Sequence, residues 1–248
     1  MLSSMESEEK IPIIDLASRE SVSDDLLQAC ASWGFFYVKG HDIPAESINE
    51  CFTIVQDFFS QPESVKNEVP YVPTKNAGYK PAGTYSSANK GAGGQTSDPR
   101  ESYSMNKWIS EEAAASVALS PGLAENRAKL RAFQGQCWAL GTRILEHMAE
   151  ALGLPSTYFA AQHHRSMANF DNFEIMHYPK PQMGEVFGHR ISPHTDWGSI
   201  TLLFQQKIGG LQVRPPSYTS STLSLDEEWT DAPVYDDMIL VNIGMLIT

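Results

Sequence analysis

The sequence predicts an α+β protein, with helices first and an antiparallel sheet after them. Up to Gly153 the apolar residues recur mainly at intervals of three and four, the spacing of one buried helix face. Beyond it the period shifts to alternation over short β-rich runs separated by turns. A run of helices followed by a run of strands is the signature of that class. With 248 residues, 42% of them hydrophobic and 19% charged, the chain can bury a substantial core in one large domain. Global disorder is excluded on the same grounds.

Ile11-Pro12-Ile13-Ile14-Asp15-Leu16 is a β-branched run that opens the ordered region behind an acidic tail. Ser21 to Ser32 reads as a helix. Asp24 and Asp25 favour its positive dipole end, Leu26, Leu27 and Cys30 form its apolar stripe, and Gly34 terminates it. Phe35-Phe36-Tyr37-Val38 follows as a strand, and Pro44 opens a second helix that runs to about Ser60. Residues 70–99 hold Gly83, Gly91, Gly93, Gly94 and Pro99, a composition that favours a long irregular loop. The longest helix is expected from Ser120-Pro121 to Gly153, with Leu130, Phe133, Cys137, Leu140, Ile144, Met148 and Leu152 as its core face. Asn169 to Tyr178, Ile200 to Phe204, Leu211 to Val213 and Met238 to Val241 are the expected strands of the second half.

A formal charge of −12 and an isoelectric point near 5.0 repel polyphosphate backbones and anionic membranes, so a small-molecule partner is expected, with neither nucleic acid nor membrane. The first residues lack a basic segment and apolar run, and no stretch of about 18 apolar residues occurs, which points to a cytoplasmic location. Cys30, Cys51 and Cys137 fall in helix-like apolar segments without CxxC spacing and read as buried free thiols.

The informative segment is His194-Thr195-Asp196. On an extended strand, residues two apart face one side, so this imidazole and carboxylate could reach one metal ion. A further histidine would complete the facial triad that holds Fe(II) and leaves positions open for a cosubstrate and O₂. Alone, the His-x-Asp pattern is weak, because it arises by chance in many proteins.

Context strengthens it. Phe173-Glu174-Ile175-Met176-His177-Tyr178-Pro179 precedes a loop, then come Ser192-Pro193-His194-Thr195-Asp196-Trp197-Gly198-Ser199-Ile200-Thr201-Leu202-Leu203-Phe204-Gln205 and Gly209-Gly210-Leu211-Gln212-Val213. This string resembles the iron-binding core of the isopenicillin N synthase-like branch of the Fe(II)/2-oxoglutarate-dependent dioxygenase superfamily. Ala31-Ser32-Trp33-Gly34-Phe35-Phe36-Tyr37-Val38 and His41-Asp42-Ile43-Pro44 resemble its helical N-terminal region. The resemblance implies a double-stranded β-helix, or jelly roll, with flanking N-terminal helices. It also implies a linear order: a tail over 1–10, an N-terminal region over 11–120, a supporting helical region over 121–165 and a partial core over 166–248. His194 and Asp196 match two iron ligands and Tyr178 matches a tyrosine that contacts the carboxylate of 2-oxoglutarate or, in oxidase relatives, of substrate. Met176 stands where many plant relatives have asparagine. Arg100, Glu101 and Tyr103 match a region that contacts substrate, with Arg100 and Tyr103 as the candidates, and the alternative for all three is a solvated strand edge. Trp197, Ile200, Leu202 and Phe204 are expected in the core.

The implied activity is oxidation of a small organic molecule with Fe(II), O₂ and 2-oxoglutarate, by hydroxylation, desaturation or cyclisation, with specialised metabolism as one setting. The pattern departs from the family after Val241-Asn242-Ile243-Gly244. There, relatives continue with an aspartate, a second iron histidine and an RxS arginine, whereas Met245-Leu246-Ile247-Thr248 follows here. The jelly roll is therefore expected to be incomplete at its C-terminal side. A 2-oxoglutarate-independent iron oxidase and a catalytically silent chain stay open as alternatives. Of the other histidines, His163 and His164 end the helical region, His177 alternates away from Tyr178, and only His189 has reach to the His-x-Asp segment.

Overall fold

The computed structural model describes residues 10–18, 22–84, 98–108, 110–166, 171–180, 190–191, 193–214 and 229–247. Gly91, Gly93, Gly94 and His189 lie outside them. The chain forms two compact units, neither contiguous in sequence: Met1–Asp42, Leu140–Gln162 and Asp196–Thr248 build the first, Ile43–Ala139 and His163–Thr195 the second.

The first unit is built on a four-stranded sheet in the order β1 (Ile13–Asp15), β2 (Phe35–Lys39), β9 (Ile239–Ile243), β6 (Ile200–Leu203). β1 and β2 run parallel, with Ile13 opposite Tyr37. The other pairs are antiparallel, with Phe35 opposite Asn242 and Ile200 opposite Ile243. A helix, α1 (Val22–Ser32), links β1 to β2 and packs on both. It buries Val22, Leu26 and Ala29, so the apolar stripe lies one step round from the expected one and Leu27 is left exposed. Gly34 ends it at a φ of +68°, where a side chain would clash with the backbone, while its N–H donates to the Ala29 carbonyl. Below the sheet, Ile11, Trp33, Tyr37, Val213, Ala232 and Leu240 form one cluster, and the Tyr37 hydroxyl donates to the Pro233 carbonyl at 2.5 Å. A two-stranded ribbon, β7 (Gln212–Val213) with β8 (Thr230–Asp231), supplies Val213 to it.

The second unit holds the antiparallel sheet β3 (Gly78–Lys80), β4 (Glu101–Asn106), β5 (Asn172–His177), in that order. β3 lies within the segment expected to be a long irregular loop. On one sheet face, Phe58 of α2 (Ala45–Phe59) meets the rings of Phe59, Tyr103 and Tyr79 edge-on at centroid distances of 5.1, 5.4 and 6.3 Å. Short helices α3 (Glu63–Lys66) and α4 (Glu111–Ser116) complete this part.

The longest helix, α5 (Arg127–Ala151), contributes residues to each unit. It begins later than Ser120-Pro121 suggests, because Ser120 to Asn126 form turns instead. There the Ala124 N–H reaches the Ser120 carbonyl, and Gly122 adopts a φ of +82°. Leu130, Phe133, Leu140, Ile144 and Met148 are buried as the period predicts, whereas Leu152 falls past the helix end and is exposed. The helix α6 (Thr157–Ala160) follows.

Candidate functional site

Side chains alternate across β4 and β5, and this alternation divides the second unit's sheet into two chemically distinct faces. Tyr79, Glu101, Tyr103, Met105, Ile175 and His177 fall on the face toward Phe58 and Phe59. Lys80, Ser102, Ser104, Glu174 and Met176 fall on the other. On this second face, Glu174 Oε1 accepts hydrogen bonds from Lys80 Nζ at 3.0 Å, Ser102 Oγ at 2.9 Å and Ser104 Oγ at 3.3 Å. A polar strand is thereby buried without orphaned groups.

Arg100 and Tyr178 extend that face. Arg100 Nη1 donates to Met176 Sδ at 3.4 Å, and the Tyr178 hydroxyl donates to the same sulfur at 3.7 Å. The thioether thus receives both donors, so a polar contact exists there with a weak acceptor. Loss of water around the Tyr178 hydroxyl pushes its pKa up, and the neighbouring Arg100 partly offsets this. Arg100 lies 3.8 Å from the carboxylate of Asp98, whose own pKa is raised by burial against the pull of Arg100 and His194. Arg100, Met176, Tyr178 and Asp98 are therefore brought together, with His194 in electrostatic reach of Asp98.

Tyr103 is not among them. It is 1% exposed, on the opposite sheet face, and its hydroxyl accepts the Ser120 N–H at 3.3 Å. It is a core residue rather than a substrate contact, because strand alternation puts residue 103 on the face opposite Arg100, toward Phe58. Glu101 is buried too, so the alternative of a solvated strand edge does not hold for this segment.

His194-Thr195-Asp196 lies in irregular backbone just ahead of β6, not on a strand, so simple alternation does not orient the two side chains. His194, which closes the second unit, is exposed; Asp196, which opens the last segment of the first unit, is half-buried. Within its unit Asp196 is well anchored. Its Oδ2 accepts from Thr201 Oγ1 at 2.6 Å and from Asn242 Nδ2 at 2.8 Å, and its carbonyl accepts the Met245 N–H at 3.0 Å. Such outer hydrogen bonds fix the orientation of a ligating carboxylate. Thr201 and Asn242 escaped notice in the sequence, although a buried asparagine inside the apolar run of β9 was a signal. Trp197, expected in the core, is 81% exposed at the bend before β6, and Ile200, Leu202 and Phe204 are half-buried.

The other histidines have different tasks. The His163 carbonyl accepts from Trp138 Nε1, the His164 carbonyl accepts from Lys107 Nζ, and His177 binds Glu101. The donor types at His194 and Asp196 suit Fe(II). Among the described residues, however, no group of three His, Cys, Asp or Glu side chains is placed to hold a metal ion. A three-donor set is thus not assembled among the described residues.

A helical N-terminal half, a sheet-rich C-terminal half and a His-x-Asp segment with an anchored aspartate are the features to be accounted for. Comparison with known proteins makes the assignment. Residues 11–121 match the family described as non-haem dioxygenase in morphine synthesis N-terminal, and residues 164–248 match the 2OG-Fe(II) oxygenase superfamily. The chain is 29% identical over 243 residues to the UPF0676 protein C1494.01 of Schizosaccharomyces pombe, covering 96% of this chain and 72% of that protein. It is also 29% identical to the 2-oxoglutarate-dependent dioxygenase frbA of Dothideomycetidae sp. (80% of this chain, 61% of the relative) and to the proline hydroxylase buaE of Petromyces alliaceus (91% and 69%). A full-length Neurospora crassa protein, solved in complex with alpha-KG and thymine, superposes with a TM-score of 0.73 at 26% identity, covering 98% of this chain and 76% of that one. JOX2, solved with 2OG, Fe and JA, shares the fold with a TM-score of 0.74 at 24% identity, covering 96% and 65%. The chain belongs to the 2OG-Fe(II) oxygenase superfamily, whose members use Fe(II), 2-oxoglutarate and O₂ within a jelly-roll fold.

Proposed function

We propose that this chain oxidises a small organic molecule with Fe(II), 2-oxoglutarate and O₂, by hydroxylation, desaturation or cyclisation, in specialised metabolism. His194 and Asp196 would supply two protein ligands to iron, with the third donor coming from outside the described residues. Bound iron would provide the O₂-activating chemistry that oxidises an unactivated C–H bond. Tyr178 would donate to a carboxylate of 2-oxoglutarate, and Arg100, steadied by Asp98, would contact substrate. The order of motifs, from Trp33-Gly34-Phe35-Phe36 to Gly209-Gly210-Leu211, favours the isopenicillin N synthase-like branch. The observation that carries this reading is the anchoring of Asp196 Oδ2 by Thr201 and Asn242, an arrangement that holds a carboxylate in one orientation. An anaerobic titration with Fe(II) and 2-oxoglutarate tests it: a visible metal-to-ligand charge-transfer band is expected, lost in His194→Ala and Asp196→Ala. Absence of the band in the unmodified chain overturns the reading. One observation favours a second reading, a catalytically silent chain: no three-donor group is assembled among the described residues. In that case Fe(II) binds no more tightly than to the Asp196→Ala variant.

A further inference from the structure

β5 lies at the edge of its sheet among the described residues, so its C-terminal end is held by β4 alone. The last rung of that ladder pairs Glu101 with His177, and Tyr178 follows immediately. Edge-strand ends with no further pairing open most easily. At this rung the side chains add a second lock. Glu101 Oε1 accepts from His177 Nδ1 at 2.8 Å, while Oε2 accepts from Lys66 Nζ at 2.6 Å and from the Tyr79 hydroxyl. The carboxylate and Lys66 are both buried, and Lys66 Nζ also reaches the Phe59 carbonyl at 3.3 Å. The His177 ring lies over Phe59 at a centroid distance of 5.5 Å and a tilt of 31°. One buried carboxylate therefore gathers α3, β3 and the final residue of β5, its two oxygens sharing three donors.

We propose that Glu101 is a positioning residue. By gripping His177 it fixes the end of β5, and so sets where Tyr178 and Met176 stand on the opposite face. The inference rests on the reading of Tyr178 as a cosubstrate contact. Neither Glu101 nor His177 touches 2-oxoglutarate in this scheme, since their side chains alternate to the other side of the strand.

The test compares the unmodified chain with His177→Leu, which removes the donor, His177→Gln, which keeps one, and Tyr178→Phe. Two readouts are taken: amide hydrogen exchange along β5, and 2-oxoglutarate affinity by calorimetry with Mn(II) in place of Fe(II). In His177→Leu, exchange at 176–178 accelerates while 172–174 stays protected, and affinity for 2-oxoglutarate falls about tenfold, the scale of effect expected from displacing a binding group by a fraction of an ångström. His177→Gln restores both. Unchanged exchange at 176–178, or acceleration spread evenly over β5 alongside a lower melting temperature, overturns the positioning role. If Tyr178→Phe binds 2-oxoglutarate as the unmodified chain does, the cosubstrate reading of Tyr178 fails instead, and the exchange pattern still decides for or against Glu101.

Discussion

Replacing Gly244 by alanine should disturb the segment that carries Asp196, the proposed iron ligand, without replacing that residue. A Cβ built at Gly244 would stand 2.3 Å from the Gly198 carbonyl oxygen, 2.8 Å from its carbon and 3.1 Å from the Asp196 carbonyl oxygen. The first distance is about 1 Å short of ordinary van der Waals contact, and backbone on both sides leaves no flexible side chain to yield. The segment 196–199 is also tied to 244–246 by three backbone hydrogen bonds, Gly244 to Ser199, Met245 to Asp196 and Leu246 to Gly198, at 2.8 to 3.2 Å. Either those bonds lengthen or the segment carrying Asp196 moves. Forced overpacking of this kind costs about 1–3 kcal/mol. For a chain of this size that lowers the melting midpoint by roughly 2–12 °C. Movement of Asp196 away from Thr201 and Asn242 should weaken Fe(II) retention by about 10–100-fold. Differential scanning fluorimetry and a chelator-competition titration measure the two effects. Gly198→Ala is the control: a Cβ there meets nothing within 4 Å, so its stability should stay within about 0.5 kcal/mol. If Gly244→Ala melts and binds iron as Gly198→Ala does, the close approach does not constrain the ligand segment.

Further outcomes follow from the hydrogen-bond network and the charges. Asn242→Leu removes one of the two side-chain donors to Asp196 Oδ2, and Fe(II) affinity should fall by about 10–100-fold, read by the same competition titration. Burial pushes the Glu101 pKa up, but Lys66, Tyr79 and His177 together bring it below its ordinary 4.5. A depressed folded value means that the carboxylate stabilises the fold fully above pH 4.5 and loses that contribution as pH falls through the lowered folded pKa. Glu101→Gln should therefore flatten the acid limb of a stability–pH curve, while costing about 3–5 kcal/mol near neutrality because Lys66 is left as a buried, uncompensated charge. Burial pushes the thiols of Cys51 and Cys137 up to about 12 and that of Cys30 up to about 11, so alkylation at pH 8 should be slow in the native state and fast after denaturation.

The elements that could be read from the sequence were those whose residue types agree with their burial. Val22–Ser32, Phe35–Lys39 and the face of Arg127–Ala151 follow from apolar spacing, since tertiary packing reinforces local preference there. Glu101–Asn106 hides for the opposite reason. Its run Glu-Ser-Tyr-Ser-Met-Asn looks solvated, yet Glu174 takes up both serines and Lys66, Tyr79 and His177 take up the glutamate. Partners that cancel the polarity of a strand are distant in sequence, so composition alone cannot show them. At the candidate site, strand alternation suggested His194 with Asp196 and the family resemblance added Tyr178; neither marks Thr201 and Asn242, because hydroxyl and amide side chains carry no metal-ligand signature. Trp197 misleads in the reverse sense: an aromatic next to a motif suggests core, but the bend before β6 directs it outward.

The first unit's central rung has a consequence for synthesis. β2 is flanked by β1, only some twenty residues upstream, and by β9, whose Asn242 pairs with Phe35 across a separation of 207 residues. At about 5–20 residues per second a ribosome needs roughly 10–40 s to deliver the second neighbour after the first. Throughout that interval Phe36, Tyr37 and Val38, each 2% exposed or less in the finished fold, have one strand edge open and part of their apolar cover missing. A nascent chain arrested before Ile239 would present a sticky half-sheet to chaperones, and the speed at which β9 arrives would govern the yield of folded protein.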